Sequence, residues 1–193
     1  MSITAEQLSA LIRRRRSIFP NSYNDKPIPE AIIREMLENA NWAPTHKLTE
    51  PWRFKVFQEA GLAQLGDYLA DWYQAHTPAD KYSEKKHAKM RENPLRSACV
   101  IAIVMQREPA QSLPEWEEVA AVACAVQNMW LTCTAHGIGS YWSTPRAILE
   151  ADAFLGLQEG ERCLGLFYMG YHDLPELPGK RGDIWEKVEW IGR

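Results

Sequence analysis

Seven consecutive apolar residues, Cys99-Val100-Ile101-Ala102-Ile103-Val104-Met105, constrain the fold more than any other stretch of the chain. A run without a polar alternate position has no face to give to water, so it predicts a strand covered on both sides. The covers are legible as helices. Thr4 and Gln7 form a capping-box pattern ahead of Leu8, Leu11 and Ile12, which predicts a first helix from Ala5 into a basic run. Ile32, Ile33, Met36, Leu37 and Ala40 recur at helical spacing behind Pro29. Leu62, Leu65, Leu69 and Trp72 do so again, and Pro114 to His136 reads as a long, buried helix closed by Gly137. Trp52, Phe54 and Val56 alternate with Arg53 and Lys55 as in a half-buried strand. Gly139 to Trp142 and Cys163 to Met169 read as further strands, with a helix over Arg146 to Leu155 between them. Single strands interleaved with helix-rich blocks predict an α+β class, a small central sheet flanked by helices.

With 193 residues, 46% hydrophobic and 24% charged, the chain can bury one substantial core, and a single domain over 1–193 is expected. The formal charge of -3 supplies no sustained positive field, so neither nucleic acid nor an anionic membrane is expected as a partner. Cys99, Cys124, Cys133 and Cys163 are widely spaced within apolar runs, read as reduced core residues, and offer no metal-ligand spacing. The longest apolar stretch, Val119 to Ala135, includes Gln127 and Asn128 and is too short to span a bilayer. A cytoplasmic location is expected. Between Pro78 and Pro94 the chain is rich in Lys, Glu and His, an exposed helical excursion or a lid.

Three features can carry chemistry. Arg13-Arg14-Arg15-Arg16-Ser17 concentrates forked donors and a hydroxyl at a helix end, which suits phosphate oxygens, although cations also offset a helix dipole there by roughly 0.3–1 kcal/mol each. Ala43-Pro44-Thr45-His46-Lys47 opens a polar loop held by prolines, either a binding loop or a rigid connection in which His46 merely meets a backbone partner. Gly137 to Pro145 offers close backbone approach beside hydroxyls and the aromatic Trp142.

Taken in order, these pieces resemble the nitroreductase family. The resemblance rests on Arg15-Arg16-Ser17, the helix ending in Ala43-Pro44, Pro51-Trp52-Arg53-Phe54, the Gly-rich stretch after a long helix, Gly170-Tyr171 and Lys180-Arg181, and it spans nearly the whole chain. Its nearest branch carries Ala-Pro-x-His-Lys, here Ala43 to Lys47, and an aromatic-led triplet, here Trp142-Ser143-Thr144. The resemblance implies an intertwined homodimer with FMN at the subunit interface. Arg15, Arg16, Ser17, Lys180 and Arg181 would hold its phosphate and ribityl groups. Trp142, Ser143 and Thr144 would lie along the isoalloxazine, and Trp42 and His46 would come from the other subunit. Trp42 stands where that branch has a basic residue, and Ser143 where it has an arginine, so positive charge around the flavin is reduced.

The implied activity is reduction of nitroaromatic, quinone or related small-molecule acceptors by NADH or NADPH in a ping-pong cycle, with the chemistry on FMN rather than on a catalytic side chain or metal. The absence of a GxGxxG after a strand agrees, since a transient nicotinamide needs no Rossmann site. Specialised flavin chemistry on the same fold, by dehalogenation or flavin fragmentation, is one rival. A flavin-binding module with little turnover is another, and a domain whose arginines meet an acidic partner is a third. Arg13 and Arg14 are read as solvated helix-end charges.

Overall fold

The computed structural model describes residues 2–176 and 178–192. Four strands form one antiparallel sheet in the order β1-β2-β4-β3, with β1 over Trp52–Phe57, β2 over Cys99–Gln106, β3 over Ile138–Ser143 and β4 over Glu161–Tyr171. β2 is the apolar run, and every residue from Cys99 to Met105 is fully shielded. Its alternate side chains feed two cores. Cys99, Ile101, Ile103 and Met105 pack with α2 (Glu30–Asn41) and α5 (Glu115–Ala135), while Val100 and Ala102 pack with α3 (Ala60–His76) and the short helices α6 (Arg146–Leu149) and α7 (Asp152–Leu155). The period of two along an unbroken apolar strand thus produces the helix–sheet–helix layering.

The capping box forms as read: Thr4 Oγ1 accepts from the Gln7 amide at 3.2 Å and Gln7 Oε1 from the Thr4 amide at 3.0 Å, starting α1 (Ala5–Arg14). Yet α1 buries nothing, and Leu8 and Ile12 stand exposed, an apolar stripe without a cover inside one chain. Residues 84–95 form α4 (Glu84–Leu95), packed on α3, which realises the helical excursion.

Three expectations need correction. The helix read over Arg146 to Leu155 is two short helices, because Glu150 and Ala151 leave helical geometry. Val56 is exposed, on the edge strand β1. α5 is not buried all round: Ala120, Ala123, Cys124 and Gln127 form an exposed stripe, so Cys124 is no core residue. The other three cysteines are buried as expected, and burial pushes the Cys99 and Cys133 thiols up to about 12. Arg14 is exposed at the helix end as read, and it also donates to the Thr134 carbonyl at 3.1 Å, tying α1 to the end of α5. No helix among the described residues is long and apolar enough to cross a membrane.

Candidate functional site

Where α1 ends, the chain turns at Arg15 and runs beside the free edge of the sheet. Ser17 makes a parallel bridge to Ser140 of β3, and the Ile18 amide donates to the Ser140 carbonyl at 3.1 Å. The approach requires glycine. A Cβ on Gly139 would stand 2.8 Å from Ile18, and one on its register partner Gly170 would stand 2.5 Å from the Tyr23 ring. Tyr23 in turn donates its hydroxyl to the Ile18 carbonyl at 2.7 Å. Gly170 is therefore the reason the expected Gly170-Tyr171 pair matters to the segment 17–23.

The arginines then separate in role. Arg15 lays its guanidinium 4.5 Å from the centroid of the Trp130 ring, and its Nη1 is buried with no hydrogen-bond partner among the described residues. Burial, then Arg181, then Arg16 lower its pKa from the ordinary value. Arg16 bonds back to the Arg13 and Arg15 carbonyls at 2.6 and 2.8 Å, and the backbone at Gly179 lies so close that a Cβ there would meet its guanidinium. The tail thus crosses the end of α1 and brings residues 179–181 to Arg15 and Arg16. Neither Arg15 nor Arg181 enters an ion pair among the described residues. A folded protein seldom leaves a buried donor unpaired among like charges, and an anion is what the arrangement lacks.

β3 carries the next group. A bulge in β4 leaves Leu164 between the register pairs Ile103–Gly165 and Val104–Cys163, just past the end of β3. The freed Leu164 carbonyl accepts from Trp142 Nε1 at 2.9 Å and fixes the indole. Gly165 makes this possible at φ 132°, where a Cβ would stand 2.4 Å from Trp142 Nε1. Gly165→Ala is expected to displace Trp142 and cost about 1–3 kcal/mol, read by urea denaturation and by the tryptophan emission maximum. Wild-type emission would show that the bulge tolerates a side chain. Ser143 lines a cavity with Tyr141, and Thr144 is exposed.

Trp42 and His46 sit elsewhere. Trp42 is 80% exposed at the end of α2, and His46 Nδ1 lies 2.6 Å from Glu117 at the start of α5 instead of meeting a backbone partner. Between them and Thr49, Lys47 and Leu48 hold left-handed backbone at φ 52° and 54°, with Leu48 pointing out to solvent. Such strain in non-glycine residues is characteristic of binding loops. Glu117 and Trp130 are thirteen residues apart on α5, which at the rise of an α-helix places the His46 contact about 20 Å along the helix from the Arg15–Trp130 contact. One chain therefore brings the 179–181 tail to Arg15 and Arg16 and sets Ser17 against Ser140, while Trp142 and Ser143 lie further along β3 and Trp42 and His46 sit on other elements. Trp130 carries no site signal in the sequence, and Ser140 enters there only as one hydroxyl of the Gly137 to Pro145 stretch. Trp130 Nε1 donates to the Arg16 and Ser140 carbonyls at 3.3 and 3.2 Å, but its place in a helical apolar stripe makes it read as core.

Comparison with known proteins agrees along the whole chain. The family model described as the nitroreductase family matches residues 12–171. YfhC of Bacillus subtilis, whose name as an NAD(P)H nitroreductase is itself provisional, is 31% identical over 183 residues, covering 93% of this chain and 92% of its own. A crystal structure of a nitroreductase-like family protein from Bacillus cereus superimposes with a TM-score of 0.80 at 26% identity, covering 100% of this chain and 99% of that one. The FMN-dependent nitroreductase NfnB of Mycobacterium smegmatis, solved with NADPH, shares the fold at a TM-score of 0.73 and 19% identity, over 96% of this chain and 98% of that one.

Proposed function

The chain belongs to the nitroreductase family, and on that premise we propose that it is an FMN-dependent oxidoreductase that passes electrons from NADH or NADPH to a nitroaromatic, quinone or related acceptor. The observation that carries this reading is the buried, unpartnered Arg15 Nη1 beside Arg181 and Arg16. A phosphate dianion supplies the acceptor and the countercharge that this group lacks. Arg15, Arg16, Ser17, Lys180 and Arg181 would hold the phosphate and ribityl chain, and Trp142, Ser143 and Thr144 would line the isoalloxazine. FMN, when bound, supplies the hydride and electron chemistry, donor and acceptor using the same place in turn. The chain's own work is to bind, orient and exclude water. The fixed Trp142 indole gives a rigid wall, and Ser143 in place of a cation leaves the flavin surroundings less positive.

The working unit in this reading is a homodimer. Within one chain His46 pairs with the start of α5, away from the Arg15–Trp130 contact, and in this reading a second copy would bring the Trp42–His46 loop to the flavin. The apolar stripe of α1, the exposed stripe of α5 and a tail with Ile184, Trp185 and Trp190 exposed supply uncovered surface for such a pairing.

Purified protein should be yellow, release FMN on denaturation, turn over NADH or NADPH faster when a nitro compound or quinone is added, and scatter as twice 22.1 kDa. A colourless protein that FMN does not reconstitute would overturn the reading. A bound flavin that neither NADH nor NADPH reduces would favour a binding module instead.

A further inference from the structure

The described chain holds a cavity of about 930 Å³ between α4 and the free edge of β3. Its size lies at the upper end of small-molecule sites, which run to roughly 1,000 Å³. One wall is aromatic: the Phe19 and Tyr141 rings lie 4.9 Å apart by centroid, and Tyr141 stacks on Tyr168 at 5.0 Å. The opposite wall is cationic. Lys85, Lys86, Lys89 and Arg96 line it against the single carboxylate of Glu92, although the chain as a whole carries -3. Lys85, Lys86, Lys89 and Glu92 lie on α4 and Arg96 is its C-cap, so the helix brings these charges to the cavity with Ala88, Met90 and Asn93 between them.

Solvated lysines on an exposed helix are commonplace, and what sets these apart is their place around an aromatic-walled cavity. Arg91, which does not line the cavity, is bonded to Asp67 at 2.7 Å, and Arg96 to Glu92 at 2.7 Å, whereas Lys85 and Lys89 enter no ion pair among the described residues. Lys86 lies over the Tyr73 ring at 4.8 Å. Two ammonium groups thus face an aromatic-walled cavity uncompensated, a local positive field in an acidic protein.

We propose that this cavity is the acceptor site and that it selects planar aromatic acceptors bearing an anionic substituent, the ring against Phe19 and Tyr141 and the anion toward Lys85 and Lys89. This rests on the reading above in one respect: Ser143, assigned there to the flavin, lines the same cavity, which sets its contents beside the reacting ring. For a quinone the balance is simple. NADPH gives up a hydride, solvent gives one proton, and quinone leaves as hydroquinone with NADP⁺ as the other product. The charged α4, expected from sequence as an excursion or lid, thereby acquires a role in substrate choice.

The test uses 1,4-naphthoquinone-2-sulfonate, charged at every working pH, against neutral 2-methyl-1,4-naphthoquinone. In K85A/K89A the ratio of kcat/KM for the anionic over the neutral quinone should fall about tenfold at low ionic strength, the wild-type ratio should fall with added salt, and K85R/K89R should recover most of it. Equilibrium dialysis of naphthalene-2-sulfonate gives an independent readout that needs neither flavin nor turnover, and its Kd should rise about tenfold in K85A/K89A. Unchanged binding and an unchanged ratio overturn the proposal. A loss confined to the KM for NADPH assigns the lysines to the donor and overturns it as well. A protein without FMN defeats the oxidoreductase reading while dialysis still decides whether the cavity binds the anion.

Discussion

Glu118→Ala is expected to destabilise the fold by about 3–5 kcal/mol, because it breaks a buried ion pair at the start of α5. Glu118 is a carboxylate with 1% of its side chain exposed, paired with Arg107, whose own side chain is 17% exposed. Its second oxygen accepts from the Glu108 amide at 2.9 Å, and Arg107 also donates to the Leu113 carbonyl at 3.1 Å. The pair therefore staples the loop leaving β2 to the first turn of α5. Removing the acid strands a buried guanidinium, and that orphaned charge supplies most of the loss. Replacing both partners with Arg107→Met and Glu118→Leu should recover much of it. Urea denaturation checks both, and a loss below about 1 kcal/mol in Glu118→Ala would show that Arg107 finds water or another partner. The effect should reach the site too. Glu117 holds His46 from the same turn, so the strained loop over 45–50 loses its anchor as that turn frays.

Much of this architecture is legible in the chain because burial on both faces leaves no choice of composition. β2 can be read from its seven apolar residues, and the capping box at Thr4 and Gln7 is local chemistry that tertiary contacts merely preserve. The failures share a cause. α5 reads as buried because alanine, cysteine and valine suit a core, yet Ala120, Ala123 and Cys124 face outward in one chain. Composition registers that a face is apolar and is silent on which molecule covers it. The break between α6 and α7 is likewise invisible to periodicity, since Ala147, Ile148, Ala151 and Leu155 all reach the core across the kink.

The candidate site divides along similar lines. Runs of charge and prolines name Arg15, Arg16, Ser17 and His46 without saying which of them meet. Their meeting depends on long-range packing: the 179–181 tail folding over α1, the bulge at Leu164 turning a carbonyl to Trp142, and the glycines at 139 and 170 letting the chain lie against the sheet. Trp130 shows the limit most clearly. Its spacing marks it as core, and only the fold reveals one ring serving as a platform for Arg15 while its N–H caps two carbonyls.

Arg15→Ala is expected to weaken FMN binding by about 10- to 150-fold, from the roughly 1.5–3 kcal/mol of a charge-assisted contact at about 1.4 kcal/mol per tenfold. The flavin-free protein should not weaken in step. The truncation gives up a contact with Trp130 worth roughly 0.5–1 kcal/mol, but it also removes a buried donor without a partner and relieves repulsion from Arg181 and Arg16. The two readouts therefore diverge, apo thermal stability staying near wild type while flavin affinity collapses. A residue kept for packing would move both together. Arg15→Lys should fall between, because an ammonium restores charge without the fork that meets two phosphate oxygens. Arg13→Ala, at a position exposed on the same helix, should change neither. Titration of FMN fluorescence on flavin-stripped protein, alongside apo melts, separates the cases. Undiminished affinity in Arg15→Ala would remove the phosphate from the end of α1, and with it the observation on which the oxidoreductase reading stands.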